Sequence, residues 1–251
     1  MDLQDKVIVV TGGGAGIGEA LCHRFAEEDP ARIIVVDRKL ETAESVARAI
    51  GGQAIGCDVA VESEVQAMIQ QVEQQQGRID LFCANAGVGK MGGVELSNDD
   101  WKRVMDINFM SHVYSSRALL PGMIERGSGY LLHTASAAGL LTQVGSAPYA
   151  VSKHAAVALA EWLSVTHADQ GIRVSCLCPL GVKTQLVEGD HPVLAKLRES
   201  AISVEAVAEA VMSGIQEERF LILPHPVVAE FMQRKASDPD RWLAGMRKWC
   251  S

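Results

Sequence analysis

The sequence predicts an α/β protein: a parallel sheet covered by helices on both faces, in a single domain over residues 1–251. Three observations carry this expectation. Short apolar runs alternate with longer amphipathic stretches, the glycine-rich segment TGGGAGIG separates the first run from the stretch after it, and Asp37 closes the second run. Strands buried on both faces of a parallel sheet read as unbroken apolar runs, and helices supply the crossovers.

In chain order, VIVVT (7–11) is the first strand, and the helical pattern EALCHRFAEE follows the glycines. IIVVD (33–37) is the second strand, Leu40 to Ile50 the second helix, and QAIGCDV (53–59) the third strand. Residues 61–76 form a Gln-rich helix with Val65, Ile69 and Val72 on one face. LFCANAG (81–87) is the fourth strand, ending in a turn. Ser97 with Asp100 is an N-cap signature for a helix that runs, with a break, to about Glu125. YLLHTAS (130–136), a helix over 149–169 and the strand IRVSCLCP (172–179) follow. Residues 185–202 have no clear period; Ser203 caps a helix to about Ile215, and FLIL (220–223) is the last strand. The region 185–219 is expected to serve as the substrate loop, and the tail, 226–251, to carry two short helices with Trp242 and Trp249.

Composition narrows the function classes. A chain of 251 residues, 48% hydrophobic and 22% charged, buries a core without disulfide or metal support. The net charge of −8, without a basic run, argues against nucleic acid as a partner. No stretch suggests a membrane span, and the opening MDLQDKVIVVTGG enters a strand at once, with no export signal. Cys22, Cys57, Cys83, Cys176 and Cys178 read as small core residues, the last two on one strand face, and Cys250 as exposed; no zinc spacing is present. Free thiols point to a cytoplasmic location.

The candidate site starts at the glycines. Gly12, Gly16, Ile17 and Gly18 lie between a strand and a helix, where backbone can approach a pyrophosphate and free N–H groups face it. Asp37 stands near the offset at which a carboxylate accepts the two ribose hydroxyls and repels a 2′-phosphate, favouring NAD; Arg38 beside it is the competing signal. Asp58, with Val59, could receive the adenine amino group or simply form a turn, and Asn85-Ala86-Gly87 closes the fourth strand. Tyr149 and Lys153 share one helix face. An ammonium within about 4–6 Å favours a phenolate by roughly 1–3 pKa units, towards the range of a useful base.

With TGGGAGIG, CDV, NAG, Asn108 in DINF, Ser136 in TASAAG, YAVSK and PLGVKT in this order, the chain resembles the classical short-chain dehydrogenases/reductases, closely over about residues 5–184. The resemblance implies a Rossmann-like, doubly wound sheet of seven parallel strands. It also implies hydride transfer between a nicotinamide cofactor and an alcohol or carbonyl. In that reading Tyr149 is the acid/base, Lys153 its activator and a donor to the nicotinamide ribose, and Ser136 the holder of the substrate oxygen. Asn108 keeps a water that links Lys153 to solvent. Pro179, Val182 and Thr184 contact the cofactor's nicotinamide end. Leu180 departs from the family's Pro-Gly pattern and is expected to point at the nicotinamide or narrow the pocket.

The stretches expected to bound the substrate carry Val88, Met91, Leu140, Leu141, Val187, Val193 and Leu194, which suits a neutral, hydrophobic secondary alcohol or ketone. An NADPH-dependent 3-oxoacyl-thioester (carrier-protein) reductase and a non-catalytic dinucleotide sensor are the alternatives. His133, at odd spacing from Ser136, reads as a satisfied structural histidine, and His154 as interfacial or exposed. Ala155, Ala156, Ala158 and Ala160 leave room for another helix, as in the homodimers and tetramers the resemblance implies. The tail, with Phe231, Trp242 and Trp249, is expected to cross that interface or cover a neighbour's pocket.

Overall fold

In the computed structural model, which describes the backbone of residues 1–250 and side chains through residue 248, the strands form one parallel sheet. They are β1 (Val7–Thr11), β2 (Arg32–Asp37), β3 (Gln53–Gly56), β4 (Leu81–Ala84), β5 (Gly129–Thr134), β6 (Ile172–Leu177) and β7 (Leu221–Ile222). The order is β3-β2-β1-β4-β5-β6-β7, the doubly wound arrangement.

The helices are α1 (Gly16–Ala26), α2 (Leu40–Ile50), α3 (Glu62–Gln76), α4 (Asn98–Met105), α5 (Ser111–Glu125), α6 (Ala138–Leu141), α7 (Ala147–His167), α8 (Pro192–Glu199), α9 (Val204–Gln216), α10 (Val227–Ser237) and α11 (Pro239–Cys250). Strand pleating sends alternate residues to two cores. Val7 and Val9 meet Val65 and Ile69 of α3, Leu119 and Met123 of α5, and Ala156 and Ala160 of α7. Ile8 and Val10 meet Leu21 and Phe25 of α1, Val46 of α2, and Val211 and Ile215 of α9.

Caps fall where side-chain chemistry allows. Ser97 Oγ accepts the Asp100 N–H at 3.1 Å and Ser203 Oγ the Ala206 N–H at 3.2 Å. The expected break in the fourth helical stretch is a π turn, Asp106–Met110, between α4 and α5.

Several expectations are corrected. The third, fourth and fifth strands end two to three residues early, at Gly56, Ala84 and Thr134, because the chain leaves the sheet to form the crevice loops. The aperiodic segment 185–202 contains α8, opened by His191, whose Nδ1 accepts the Val193 N–H at 3.2 Å. Within the chain the tail packs on α6, which leaves the expected contact with a neighbour neither met nor overturned: Lys235 Nζ donates to the Leu140 carbonyl at 2.6 Å and Trp242 Nε1 to that of Leu141 at 3.4 Å. The side chains of Trp249 and Cys250 lie outside the described residues. Ala156 and Ala160 pack inward against the sheet, which leaves Ala158 on the exposed face of α7. Among the described residues no helix is long and apolar enough to cross a membrane.

Candidate active site

From β1 the sheet runs through β2 to β3 on one side and through β4 to β7 on the other. Connections therefore depart in opposite directions and leave a crevice at the strands' carboxyl ends. The cavity there has a volume of about 1500 Å³. It brings together Gly12, Gly16, Ile17, Asp37, Asn85, Ala86, Gly87, Ser136, Tyr149, Lys153, Pro179, Val182 and Thr184.

Close approach explains the glycine loop. Gly12 has φ +62°, and a Cβ there would stand 2.9 Å from the Ala86 Cα. A Cβ on Gly18 would come within 2.1 Å of the Gly12 carbonyl oxygen, so Gly18 lies under the loop and lets α1 begin against it. Asp37 braces the far side: Oδ2 accepts the Gly14 N–H at 3.2 Å and Oδ1 the Lys39 N–H at 3.1 Å. Arg38 is exposed and does not line the cavity.

Asp58 and Val59 are not brought to the cavity. Asp58 Oδ1 accepts the Ala60 N–H at 3.0 Å and its own N–H donates to Glu64 Oε2 at 2.8 Å, which makes it a turn-former ahead of α3; Val59 is a core residue.

Thr11, the last residue of VIVVT and the first of TGGGAGIG, joins the two sides of the crevice. Its Oγ1 accepts the N–H groups of Asn85 (2.9 Å) and Ala86 (3.2 Å) and donates to the Cys83 carbonyl (3.2 Å). Asn85 returns a bond from Nδ2 to the Thr11 carbonyl at 3.1 Å, and its Oδ1 accepts from Thr134 Oγ1 at 3.1 Å. A buried threonine at the end of a strand carries no distinguishing sequence signal.

Tyr149 is 8% exposed and Lys153 3%, one turn apart on α7. The ammonium lies 5.8 Å from the phenol ring centre and donates to the Thr134 carbonyl at 2.8 Å. Burial pushes Lys153 down to about 8. For Tyr149 the expected sign is reversed: burial pushes the phenol above its ordinary value, the Ser136 hydroxyl pulls it down, and Cys178 adds to the rise. Desolvation of the phenolate is thus the dominant influence in the cavity.

Ser136 Oγ accepts the Ala138 N–H at 3.1 Å and points weakly to the Pro179 carbonyl at 3.4 Å. Asn108, in the π turn, is fully buried behind the cavity. Its Oδ1 accepts the Val88 N–H (2.8 Å), and Nδ2 donates to the Val88 carbonyl (2.9 Å) and Ser152 Oγ (3.1 Å). That side chain is committed to protein partners, so a water held by Asn108 would need its main-chain carbonyl. A Cβ on Gly87 would be 3.5 Å from both Asn108 Oδ1 and Lys153 Nζ, which brings these groups to one point.

His133 is structural but only half satisfied. Its Nδ1 lies 2.9 Å from Nδ1 of His112, the rings stack, burial holds it down at about 4, and Nε2 lacks a partner. His154 is half-buried, with Nδ1 2.9 Å from the Ala150 carbonyl oxygen. Cys176 and Cys178 face one another at 3.7 Å, as alternation requires. Leu180 packs towards the tail, against the buried cluster of Ala137, Leu141 and Val228. Val88 and Val187 line the crevice, whereas Leu141 lines a second cavity under the tail and Val193 and Leu194 are buried.

This sheet order, with a glycine turn at the reversal point, defines a doubly wound dinucleotide-type fold. The chain belongs to the short chain dehydrogenase family, whose model matches residues 6–192. It is 35% identical to a 1-deoxy-11-beta-hydroxypentalenate dehydrogenase of Streptomyces exfoliatus, over 88% of this chain and 84% of that one. It is 29% identical to the mitochondrial borneol dehydrogenase of Lavandula x intermedia, over 91% and 90%. A short chain dehydrogenase/reductase from Burkholderia phymatum, solved in complex with NAD, superposes with a TM-score of 0.86 at 29% identity, covering 96% of each chain. The protein is therefore an oxidoreductase of a family that uses a nicotinamide cofactor.

Replacing Thr11 by Val keeps its shape and strands the Asn85 and Ala86 amides. Thermal or urea unfolding should show a loss of about 1–3 kcal/mol, and wild-type stability would contradict the bridging role.

Proposed function

We propose that the protein oxidises a neutral, apolar secondary alcohol to the ketone with NAD as hydride acceptor, and catalyses the reverse reduction. The observation that carries this reading is the buried Tyr149–Lys153 pair on α7, sharing one cavity with Ser136 and the Asp37-braced glycine loop.

The residues present suit a dinucleotide. The loop leaves no room for side chains at Gly12 and Gly18, and Asp37 offers carboxylate lone pairs where a 2′-phosphate would be repelled. Arg38, turned out of the cavity, does not offset that charge. When bound, the cofactor supplies the hydride-accepting carbon and, in oxidised form, a positive charge.

The protein's own groups handle the proton. Ser136 Oγ and Tyr149 Oη hold the alcohol oxygen and orient its carbinol C–H. The Tyr149 phenolate takes the hydroxyl proton as the C–H bond gives up its hydride, so alcohol becomes ketone and the phenol is regenerated. Lys153, protonated below about pH 8, stabilises that phenolate and can donate to the nicotinamide ribose. The raised phenol is brought into working range by two positive charges, the ammonium and the oxidised nicotinamide. Val182 and Thr184 close the nicotinamide end; Thr184 Cγ2 would stand 3.3 Å from a Cβ on Gly16, directly over the loop.

A second cavity of about 1100 Å³ opens beyond Ser136 and Leu180, with Leu141, Leu197, Phe231 and Trp242 on its walls. Charged residues, Lys196, Glu199, Arg234, Asp238 and Arg241, also line it, and its apolar part supports a substrate with a hydrophobic body. The relatives named for borneol and for a hydroxypentalenate are consistent with this. We also assign the exposed face of α7, with Val151, Trp162 and Val165, to contact between copies of the chain.

Fluorescence titration should give NADH a dissociation constant at least about tenfold below that of NADPH, the equivalent of ~1.4 kcal/mol. An alcohol panel that includes borneol should then show NAD reduction, with Tyr149→Phe losing about 10²–10⁴ in kcat while still binding NADH. Preference for NADPH, or an active Tyr149→Phe, would contradict the reading. Sedimentation at micromolar concentration should find a dimer or tetramer; a monomer would reject the α7 contact.

A further inference from the structure

The turn Pro179-Leu180-Gly181 follows β6 and lies between the two cavities: Leu180 and Ser136 line both. Three hydrogen bonds given by main-chain N–H groups hold it, with the weak contact from Ser136 Oγ to the Pro179 carbonyl at 3.4 Å beside them. The Pro179 carbonyl accepts the Ala137 N–H at 2.8 Å, and the Gly181 carbonyl accepts the Ile202 N–H at 3.1 Å. The third runs from the Leu180 N–H to Nδ1 of His225, at 3.2 Å. Of the three it alone depends on a side chain.

We propose that His225 is a positioning residue, whose imidazole fixes the Leu180 amide and so sets how far this turn, and the Leu180 side chain, stand from the reacting carbon. The proposal deepens the alcohol dehydrogenase reading above and rests on it for its kinetic consequences.

The packing explains why one bond can matter. On the α8 side the turn lies close against the helix, where a Cβ on Gly181 would fall 2.3 Å from the Leu197 carbonyl oxygen. Val182 continues into a bridge with Ile202, and the Lys183 N–H donates to the Ile202 carbonyl at 3.0 Å. The remaining freedom is towards the tail, where His225 stands in the loop between β7 and α10, 7% exposed. The Leu180 side chain reaches the same way, packing against the buried cluster of Ala137, Leu141 and Val228, on which Leu223, Phe231 and Trp242 also pack. One residue is thus bound to the tail through its amide by His225 and through its side chain by an apolar cluster.

The chemistry suits an acceptor. Burial lowers the pKa of His225, against a smaller opposing pull from the Gly181 and Ser200 backbone, and so favours the neutral ring that can accept. Accepting the Leu180 N–H at Nδ1 assigns the ring proton to Nε2, which is buried without a hydrogen-bond partner. An asparagine could present its side-chain oxygen near the Nδ1 position; leucine could fill the space but would strand the amide.

The test compares His225→Leu, His225→Asn and His225→Gln with wild type. Exchange at the Leu180 amide is followed by NMR, with NADH affinity and the kinetics of small and bulky secondary alcohols measured alongside. We expect the Leu variant to exchange Leu180 about tenfold faster or more and to raise KM for bulky alcohols about tenfold, as loss of one buried bond implies, with NADH affinity within about twofold. The Asn variant should recover both, whereas Gln, whose oxygen lies one bond further out, should not.

Unchanged exchange and KM in a folded Leu variant would overturn the proposal. So would an Asn variant that behaves like Leu. If the Leu variant does not fold, the Asn–Gln contrast decides on the same readouts. A wild-type enzyme that oxidises no alcohol overturns the function proposed above and leaves the exchange comparison to judge the His225 contact.

Discussion

A buried ammonium needs a partner, and the one that Lys153 finds fixes the catalytic end of the molecule. Its Nζ bonds to the carbonyl of Thr134, the last residue of β5. That bond ties the start of α7 to the sheet where Ser136 and α6 follow. It places Tyr149 in the same desolvated space, so geometry and electrostatics share one cause. The burial that holds Lys153 at about 8 also pushes the neighbouring phenol up. The cavity thus disfavours charge on both groups, and a bound positive ring relieves that for the phenolate. Coupling of this kind would let proton removal wait for the oxidised cofactor.

Around this centre the topology does the rest. The reversal of strand order at β1 and β4 opens the crevice, and the Thr11 hydroxyl keeps its two lips in register. Asn85 extends the line to Thr134, so a continuous path of hydrogen bonds, part-buried at Asn85 and buried at Lys153, runs from the end of β1 to the carbonyl that holds Lys153. Beyond β6, the turn at Leu180 and the tail helices shape the substrate side. The family match stops at residue 192, and the walls of the second cavity extend past it to Phe231 and Trp242.

Much of this was legible in the sequence, and the reasons are physical. VIVVT and IIVVD lack polar interruptions because both strand faces are buried, so their positions could be read directly. Gly12, Gly18 and the Tyr149–Lys153 spacing were legible because close approach and helical periodicity constrain residue type. Strand ends were less so: Cys57 and Asn85 look like strand residues and sit in loops, since departure from the sheet is set by the crevice. Thr11 and His225 act through hydrogen bonds that span 72–75 and 45 residues, which no local pattern encodes. α8 escaped because its eight residues are too few for a period to stand out. The rise of the Tyr149 phenol in the cofactor-free protein cannot be read from spacing, which reveals a neighbouring charge and conceals the depth of burial.

The most direct test is a difference-absorbance titration of tyrosinate, wild type minus Tyr149→Phe, with and without saturating NAD. The account predicts that Tyr149 ionises above the ordinary phenol value in the cofactor-free protein and moves down by several pKa units when NAD binds, a drop that shrinks in Lys153→Met. A phenol that titrates at the same pH with and without NAD would contradict it.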